Sequence, residues 1–164
     1  MRLLPPAALT LGLVLSACSG SDPKAMTAEG TRKLGAGDAK AALECFDDAL
    51  AHLQPQGGDF LRASMGRFQA LARLEPKRAQ TEFLAFHVAH PNDVKEAEFK
   101  LVVDELLRRG SVAPATDLIE AGQKAFPNSP LMAQLLKAAG DAAKKSGDPA
   151  AVNKLKGLGY AGDG

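Results

Sequence analysis

Two histidines and an aspartate lie close together in the middle of the chain, at a spacing that suits metal binding. His87 and His90 are three residues apart near the end of a predicted helix, and Asp93 adds a carboxylate. Two histidines without a second cluster of ligands are a weak metal signal. Cationic side chains near a helix C-terminus also complement the helix dipole. We favour the second interpretation, and no metal site is assigned.

Motifs for catalysis are missing from the sequence. The zinc-protease His-Glu-x-x-His, the nucleophile elbow Gly-x-Ser-x-Gly and the phosphate-binding loop do not occur. Gly35-Ala36-Gly37 looks like the start of a dinucleotide-binding loop, but it follows a helical pattern and is predicted to be a turn between helices. The sequence therefore indicates a protein that is not an enzyme and has no catalytic residue.

Cys18 is the residue best suited to covalent modification. It follows Arg2, an apolar stretch and a pair of small residues, which is the order of a secretory signal peptide. Leu15-Ser16-Ala17-Cys18 resembles the lipobox of bacterial lipoproteins. That resemblance implies a signal peptide over 1–17, lipidation of Cys18, and no cofactor besides this lipid. Plain secretion and a retained anchor are the alternatives, although a spanning helix needs roughly 20 apolar residues.

Cys45 is the other cysteine of the chain. A lipidated Cys18 is not available for a disulfide with it. Cys45 lies on an apolar stripe with Ala42, Phe46 and Ala49, at the spacing of one helix face. Cysteine in such a position behaves as a small hydrophobic residue. The sequence therefore predicts a buried, unreactive thiol.

The balanced charge of the mature chain argues against nucleic acid and anionic lipid as binding partners. Removal of 1–17 leaves enough residues for one domain, with equal numbers of basic and acidic side chains. The sequence contains no run of five or six like charges. Binding of nucleic acid through a basic face is therefore not expected, and neither is electrostatic docking to anionic lipid.

Three sets of residues recur along the chain at the same spacing. Each set is spaced by 36 or 37 residues, and a fixed period of this size is typical of stacked helical repeats. The sets are Pro55, Pro91 and Pro127; Ala42, Ala79 and Ala115; and Phe46, Phe83 and Ile119.

Each period contains two helical patterns separated by a turn. In the first period they cover about 24–36 and 39–54, with Gly37-Asp38 between them. Glycine closes a helix in the left-handed conformation, and aspartate caps the next one. The same combination of a turn residue and a capping residue recurs at Gly110-Ser111 and at Gly147-Asp148-Pro149. Residues 91–93 are predicted to end one helix and cap another. No strand pattern competes, so the chain is predicted to be all-α.

The first period resembles a tetratricopeptide repeat (TPR). Gly30, Ala42, Phe46 and Ala49, followed by Pro55, match the small and large positions of that family. The resemblance implies a right-handed α-solenoid of about four helix-turn-helix units over 24–156, after a tether at 18–23 and before a tail at 157–164. Because the family's unit is shorter than 36 residues, small insertions are expected, most plausibly at 55–59.

The same resemblance implies a groove lined by the first helix of each unit, in which a segment of a partner protein lies. The alternative is that the charged positions of this groove are only solvated. The family's groove positions map onto Thr31, Ala63, Arg67, Lys100, Asp104 and Arg108, and the last four are the candidate protein-binding residues.

The tail carries the only tyrosine of the chain, Tyr160. Two interpretations are open for Leu158-Gly159-Tyr160. The preferred one is a chain end packed on the last repeat, and the other is a short recognition element.

The expected function is that of an interaction scaffold or adaptor in the bacterial cell envelope. The partners would be other envelope proteins, the lipid would hold the protein on a membrane, and nucleic acid would not bind. Ser19 differs from the aspartate that resembles an inner-membrane retention signal. An outer-membrane position facing the periplasm is therefore favoured. The alternative is a ligand-binding, metal-binding or cell-wall-acting envelope lipoprotein, and a third option is a self-associating structural protein.

Overall fold

The computed structural model of the protein describes residues 22–162, and within them the chain forms eight α-helices and no strands. None of these helices is both long and apolar enough to cross a bilayer. The helices are Pro23–Gly35 (α1), Ala39–His52 (α2), Gly57–Leu74 (α3), Pro76–Ala89 (α4), Glu96–Arg108 (α5), Val112–Ala125 (α6), Pro130–Ser146 (α7) and Pro149–Gly157 (α8). The prediction of an all-α chain is confirmed.

The helices pack as four successive helix-turn-helix pairs. We call α1, α3, α5 and α7 the first helices, and α2, α4, α6 and α8 the second helices. Each first helix contacts the second helix of its own pair and the first helix of the next pair. The second helices α4, α6 and α8 also follow one another in contact. Successive helix pairs are therefore in contact throughout residues 22–162.

Local signals in the sequence place most helix ends. Gly37 has a φ of +90°, and the Asp38 carboxylate accepts a hydrogen bond of 3.0 Å from the backbone N–H of Ala41. Gly147 adopts the left-handed conformation, and Asp148 caps α8 through the N–H of Ala151. Both pairs were predicted as turn and cap. Pro55, Pro91 and Pro127 lie two or three residues beyond the ends of α2, α4 and α6.

Two details differ from the sequence-based expectation. Asp93 does not cap α5, because that helix begins at Glu96 and its preceding residue, Lys95, donates its backbone N–H to the Glu98 carboxylate at 2.9 Å. The extra length also lies elsewhere than at 55–59. The first helices begin at residues 23, 57, 96 and 130, so the second interval is the longest. It contains the 18-residue α3 and the six-residue link 90–95.

A large aromatic side chain joins the first two pairs. Phe46 on α2 is fully buried, and its ring lies against two glycines, Gly30 on α1 and Gly66 on α3. A Cβ atom at Gly66 would come within 2.3 Å of Phe46 Cζ, and one at Gly30 within 2.8 Å of Cε1. The ring therefore fits only because both helix faces lack a side chain at these positions. We call this contact the Phe46 junction.

A ring cluster fills the middle of the molecule. Phe68, Phe83 and Phe99 meet edge to face, with centroid distances of 5.5 Å and 4.9 Å, the geometry that aromatic quadrupoles favour. The cluster belongs to the main apolar core, which extends from α3 to α8 and includes Leu106, Ile119 and Leu135. This core holds the first helices α3, α5 and α7 in a row, and the candidate site lies on that row.

Candidate functional site

Three of the four candidate binding residues lie on α5. Lys100 and Asp104 form an ion pair one turn apart, and each side chain is more than one-third exposed. Asp104 and Arg108 line an open cavity of about 410 Å³, together with Leu107 and with Ala138 of α7. The structure thus brings Lys100, Asp104 and Arg108 to one surface, where α5 and α7 lie side by side.

Arg67 contacts a different set of helices. Its guanidinium binds Asp47 of α2 and Glu82 of α4, both at 2.5 Å, and its side chain is only 17% exposed. Burial alone would lower the pKa of Arg67, but the hydrogen bonds to Glu82 and Asp47 outweigh burial and raise it. Burial would raise the pKa of Glu82, but its bonds from Arg67 and Arg78 lower it. The charge of Arg67 is therefore already matched within the protein.

The two remaining groove positions that the TPR resemblance implies, Thr31 and Ala63, also lie in different surroundings. Thr31 is exposed on α1, and its hydroxyl donates to the carbonyl oxygen of Thr27 at 2.9 Å. Ala63 is fully buried beside Met26 and Ala49. It does not line a groove that is open to solvent.

A buried carboxylate behind the cavity was missed by the sequence reasoning. Glu105 on α5 is 2% exposed and accepts hydrogen bonds from three arginines. Arg108 lies at 2.5 Å, Arg73 of α3 at 2.9 Å and Arg109 at 3.3 Å. A signal was present: Glu105 is three residues from Val102, so a charged side chain falls on the inward apolar stripe of α5. A buried charge requires such partners.

Arg73 connects three first helices. Besides Glu105 of α5, its guanidinium donates to the backbone carbonyl oxygen of Leu34, near the end of α1, at 2.7 Å. The same carbonyl oxygen also accepts the backbone N–H of Gly37 at 3.1 Å, so Arg73 adds a second hydrogen bond at the end of α1. One side chain therefore contacts the end of α1 and the buried acid of α5 at once.

The histidines of the weak metal signal contact different aromatic neighbours. His87 lies edge to face with Phe99 at 5.0 Å, whereas His90 packs on Phe86 at 4.5 Å and near Phe60. Burial lowers the pKa of His87, and its Nδ1 has no hydrogen-bond partner. Within residues 22–162, no group of three or more His, Cys, Asp or Glu side chains is arranged to hold a metal ion.

The tail packs on α7. Tyr160 is 7% exposed, and its ring occupies the space over Gly140, where a Cβ atom would lie 2.3 Å from Cζ. Its hydroxyl donates to the Asp141 carboxylate at 3.1 Å, and Lys144 lies over the ring at 5.4 Å. Leu158 packs against the main core. These contacts are those of the packed chain end that the sequence favoured. We call them the Tyr160 junction.

The two cysteines lie in different parts of the chain. Cys18, the predicted lipidation site, lies outside the described residues, as does the signal peptide over 1–17. Cys45 is fully buried on α2, as predicted. It is also disulfide-bonded, so the prediction of a thiol at this position is wrong.

No protein-family model, curated protein or solved structure matches this chain. The α5–α7 surface offers an exposed cation, a carboxylate and an apolar floor beside one another. Such a surface is suited to reversible binding of a polypeptide segment.

Proposed function

We propose that this protein is a lipid-anchored scaffold of the bacterial cell envelope whose TPR-like α-solenoid binds a segment of another envelope protein. The observation that carries the proposal is the row of first helices in contact, α1 to α3 to α5 to α7, with an open cavity on α5 and α7. This order of contacts agrees with the stacking that the TPR resemblance implies. The binding surface is assigned to Asp104, Arg108 and the neighbouring Lys100.

The chemistry of that cavity favours a polypeptide ligand of mixed charge. The Lys100–Asp104 pair is exposed, and exposed ion pairs are worth only about 0–1 kcal/mol, so each member can exchange its partner at little cost. Arg108 is 63% exposed although it contacts Glu105. Leu107 and Ala138 provide apolar surface between these charges. Arg67 is not included, because Asp47 and Glu82 already hold it.

The proposed anchor places the helical domain close to a membrane. α1 begins at Pro23 and is capped by Asp22, whose carboxylate accepts the N–H of Lys24 at 3.0 Å. Four residues, 19–22, separate Cys18 from this helix, so an extended chain spans at most ~18 Å from Cys18 to Pro23. An outer-membrane position facing the periplasm remains favoured because of Ser19. The partner would therefore be a protein at the membrane surface.

The anchor is tested by fractionation of cells that express the wild type or Cys18→Ser. We expect the wild type in the membrane fraction and the variant in the soluble fraction. Sedimentation of Cys18→Ser with membranes would overturn the lipid anchor. The chain has two cysteines, and a disulfide within the chain would use the sulfur that the lipid thioether needs. The intact mass of detergent-extracted protein, with and without reductant, distinguishes the two states.

The binding surface is tested with a pair of matched variants. Ala138→Gln places a longer side chain in the α5–α7 cavity, whereas Ala85→Gln makes the same change at an exposed position of α4. Both residues are helical, and glutamine is a good helix former. After cross-linking in intact cells, we expect an envelope protein to copurify with wild type and Ala85→Gln but not with Ala138→Gln.

Equal recovery of that protein with all three baits would place its binding site elsewhere on the molecule. Absence of any enriched protein would favour the ligand-binding alternative. A melting curve of each variant, followed by circular dichroism, confirms that the substitutions leave the fold intact.

A further inference from the structure

The Tyr160 junction repeats the design of the Phe46 junction at the other end of the chain. In both, a ring occupies space that a glycine on a first helix leaves open. Phe46 is enclosed by Gly30 and Gly66, whereas Tyr160 lies on Gly140 alone. The space over Gly140 is a slot that accepts an aromatic side chain.

The segment that fills this slot is held by the end of α8 and by two side chains. The backbone N–H of Tyr160 donates to the carbonyl oxygen of Leu155 at 3.0 Å. Gln123 donates its side-chain N–H to the carbonyl oxygen of Leu158 at 3.3 Å, and Tyr160 bonds to Asp141. Gly159, with a φ of +100°, turns the chain between Leu158, which packs on the main core, and Tyr160, whose ring lies on α7. A cavity of about 340 Å³, lined by Leu136, Lys137 and 158–162, remains beneath the segment. The packing there is looser than around Phe46.

We propose that the Gly140 slot is a recognition site for a Leu-Gly-Tyr segment, filled by residues 158–162 of the same chain and open to the same segment of a second copy. The side-chain contacts that would recognise the segment all lie in the junction. Gly140 provides room for the ring, Asp141 accepts the hydroxyl proton, Lys144 faces the ring, and Gln123 binds the carbonyl group of Leu158. A segment from another copy would present the same groups.

Concentration decides which segment occupies the slot. A segment joined by a short linker has an effective concentration of roughly millimolar. The wild type at micromolar concentration therefore fills its own slot and stays monomeric. Exchange between copies becomes measurable when the internal contact is disabled.

Two variants remove the contact between Tyr160 and Gly140, one by changing the slot and the other by changing the ring. Gly140→Ala closes the slot with a Cβ atom and leaves the tyrosine free, and alanine is the better helix former by about 1 kcal/mol in intrinsic propensity. Tyr160→Ala leaves the slot open and removes the ring. Because the chain has one tyrosine and no tryptophan, tyrosine emission of the first variant reports on the tail alone. Gly35→Ala, where nothing lies within 4 Å of the added atom, is the matched control.

We expect Gly140→Ala to show the emission of an exposed tyrosine, and Gly35→Ala to match the wild type. Addition of Tyr160→Ala up to millimolar concentration should return the emission of Gly140→Ala towards the wild-type value, with a midpoint below the roughly millimolar effective concentration at which the tail fills its own slot. Addition of further Gly140→Ala should not. A wild-type spectrum for Gly140→Ala alone, or no recovery on mixing, would overturn the proposal.

A second measurement does not depend on the folding of Gly140→Ala. A synthetic peptide of residues 156–162 is titrated into Tyr160→Ala, and the tyrosine of the peptide is again the only one in the sample. Saturable binding that is lost in a Tyr160→Ala, Gly140→Ala double variant supports the site. Absence of saturable binding overturns it.

Discussion

The Phe46 junction and the Tyr160 junction use the same pair of residue types in different surroundings. Phe46 comes from the middle of α2 and is enclosed between glycines of two consecutive first helices. Tyr160 comes from the chain end, lies on one glycine, and carries a hydroxyl that reaches Asp141. Phe46 is completely shielded from solvent, whereas Tyr160 keeps 7% of its surface exposed.

This difference separates two roles of a ring on a glycine. A ring with a helix on each side cannot move without displacing backbone, so it fixes the distance between two helix pairs. A ring with a helix on one side can leave into solvent, and only its own contacts are lost. The first arrangement contributes to stability, and the second can serve recognition.

The largest effect is expected for Phe46→Ala. Removal of a fully buried phenylalanine typically costs about 3–5 kcal/mol, because the transfer free energy is lost and a cavity remains. Many domains have a total free energy of unfolding of only about 5–15 kcal/mol. Urea unfolding followed by circular dichroism should show this loss. A cost below about 1 kcal/mol would mean that the junction does not hold the pairs together.

Gly66→Ala should also destabilise the protein, although alanine favours helix. The added Cβ atom would lie 2.3 Å from Phe46 Cζ, and Gly30 blocks the ring from moving away. Overpacking of a core costs about 1–3 kcal/mol, which exceeds the roughly 1 kcal/mol gained in helix propensity. The same urea titration measures the difference. An increase in stability would contradict the rigid character of this junction.

Gly140→Ala is the matched substitution at the other junction, and its effect should be small. The Cβ atom displaces the Tyr160 ring into solvent, and the loss of that contact is offset by the gain in helix propensity. We expect the free energy of unfolding to stay within about 1 kcal/mol of the wild type. A loss as large as that of Gly66→Ala would show that both junctions are structural.

The smallest effect concerns pH and the ring cluster between the two junctions. Burial holds the pKa of His87 below its ordinary value of 6.5, so the folded protein favours the neutral imidazole. The stability linked to this group is complete above pH 6.5 and is lost as the pH falls below it. His87→Phe should keep the contact with Phe99 and reduce the fall in melting temperature between pH 7 and pH 5. An unchanged slope would assign that fall to other groups.

The helices could be predicted from the sequence because their signals are local. A turn glycine or a capping aspartate determines the backbone only within a few residues of its own position. The structure has the expected turn or cap at Gly37, Asp38 and Gly147. The glycine at position 30 and the ring at position 46 could also be matched, since a spacing within one helix pair specifies their contact. At the start of α5, both Asp93 and Glu98 can accept a backbone N–H. The sequence alone did not show which of the two carboxylates does so.

The charged contacts could not be predicted in the same way. Arg67 was mapped to a groove by its position on one helix, but its partners come from 20 residues before it and 15 after it. Glu105 and Arg73 are 32 residues apart. Such pairs depend on how neighbouring helices are rotated, and a single sequence carries little information about that rotation.

Arg73 has a consequence for the cooperativity of unfolding. In a chain whose helix pairs contact mainly their neighbours, each pair can melt almost independently, and the ends unfold first. Arg73 of the second pair links both of its neighbours, because it joins the carbonyl group of Leu34 in the first pair to the carboxylate of Glu105 in the third. Opening of α1 therefore removes one of the contacts that hold the Arg73 guanidinium at Glu105. The helix pair nearest the proposed membrane anchor should unfold together with the rest of the protein rather than before it.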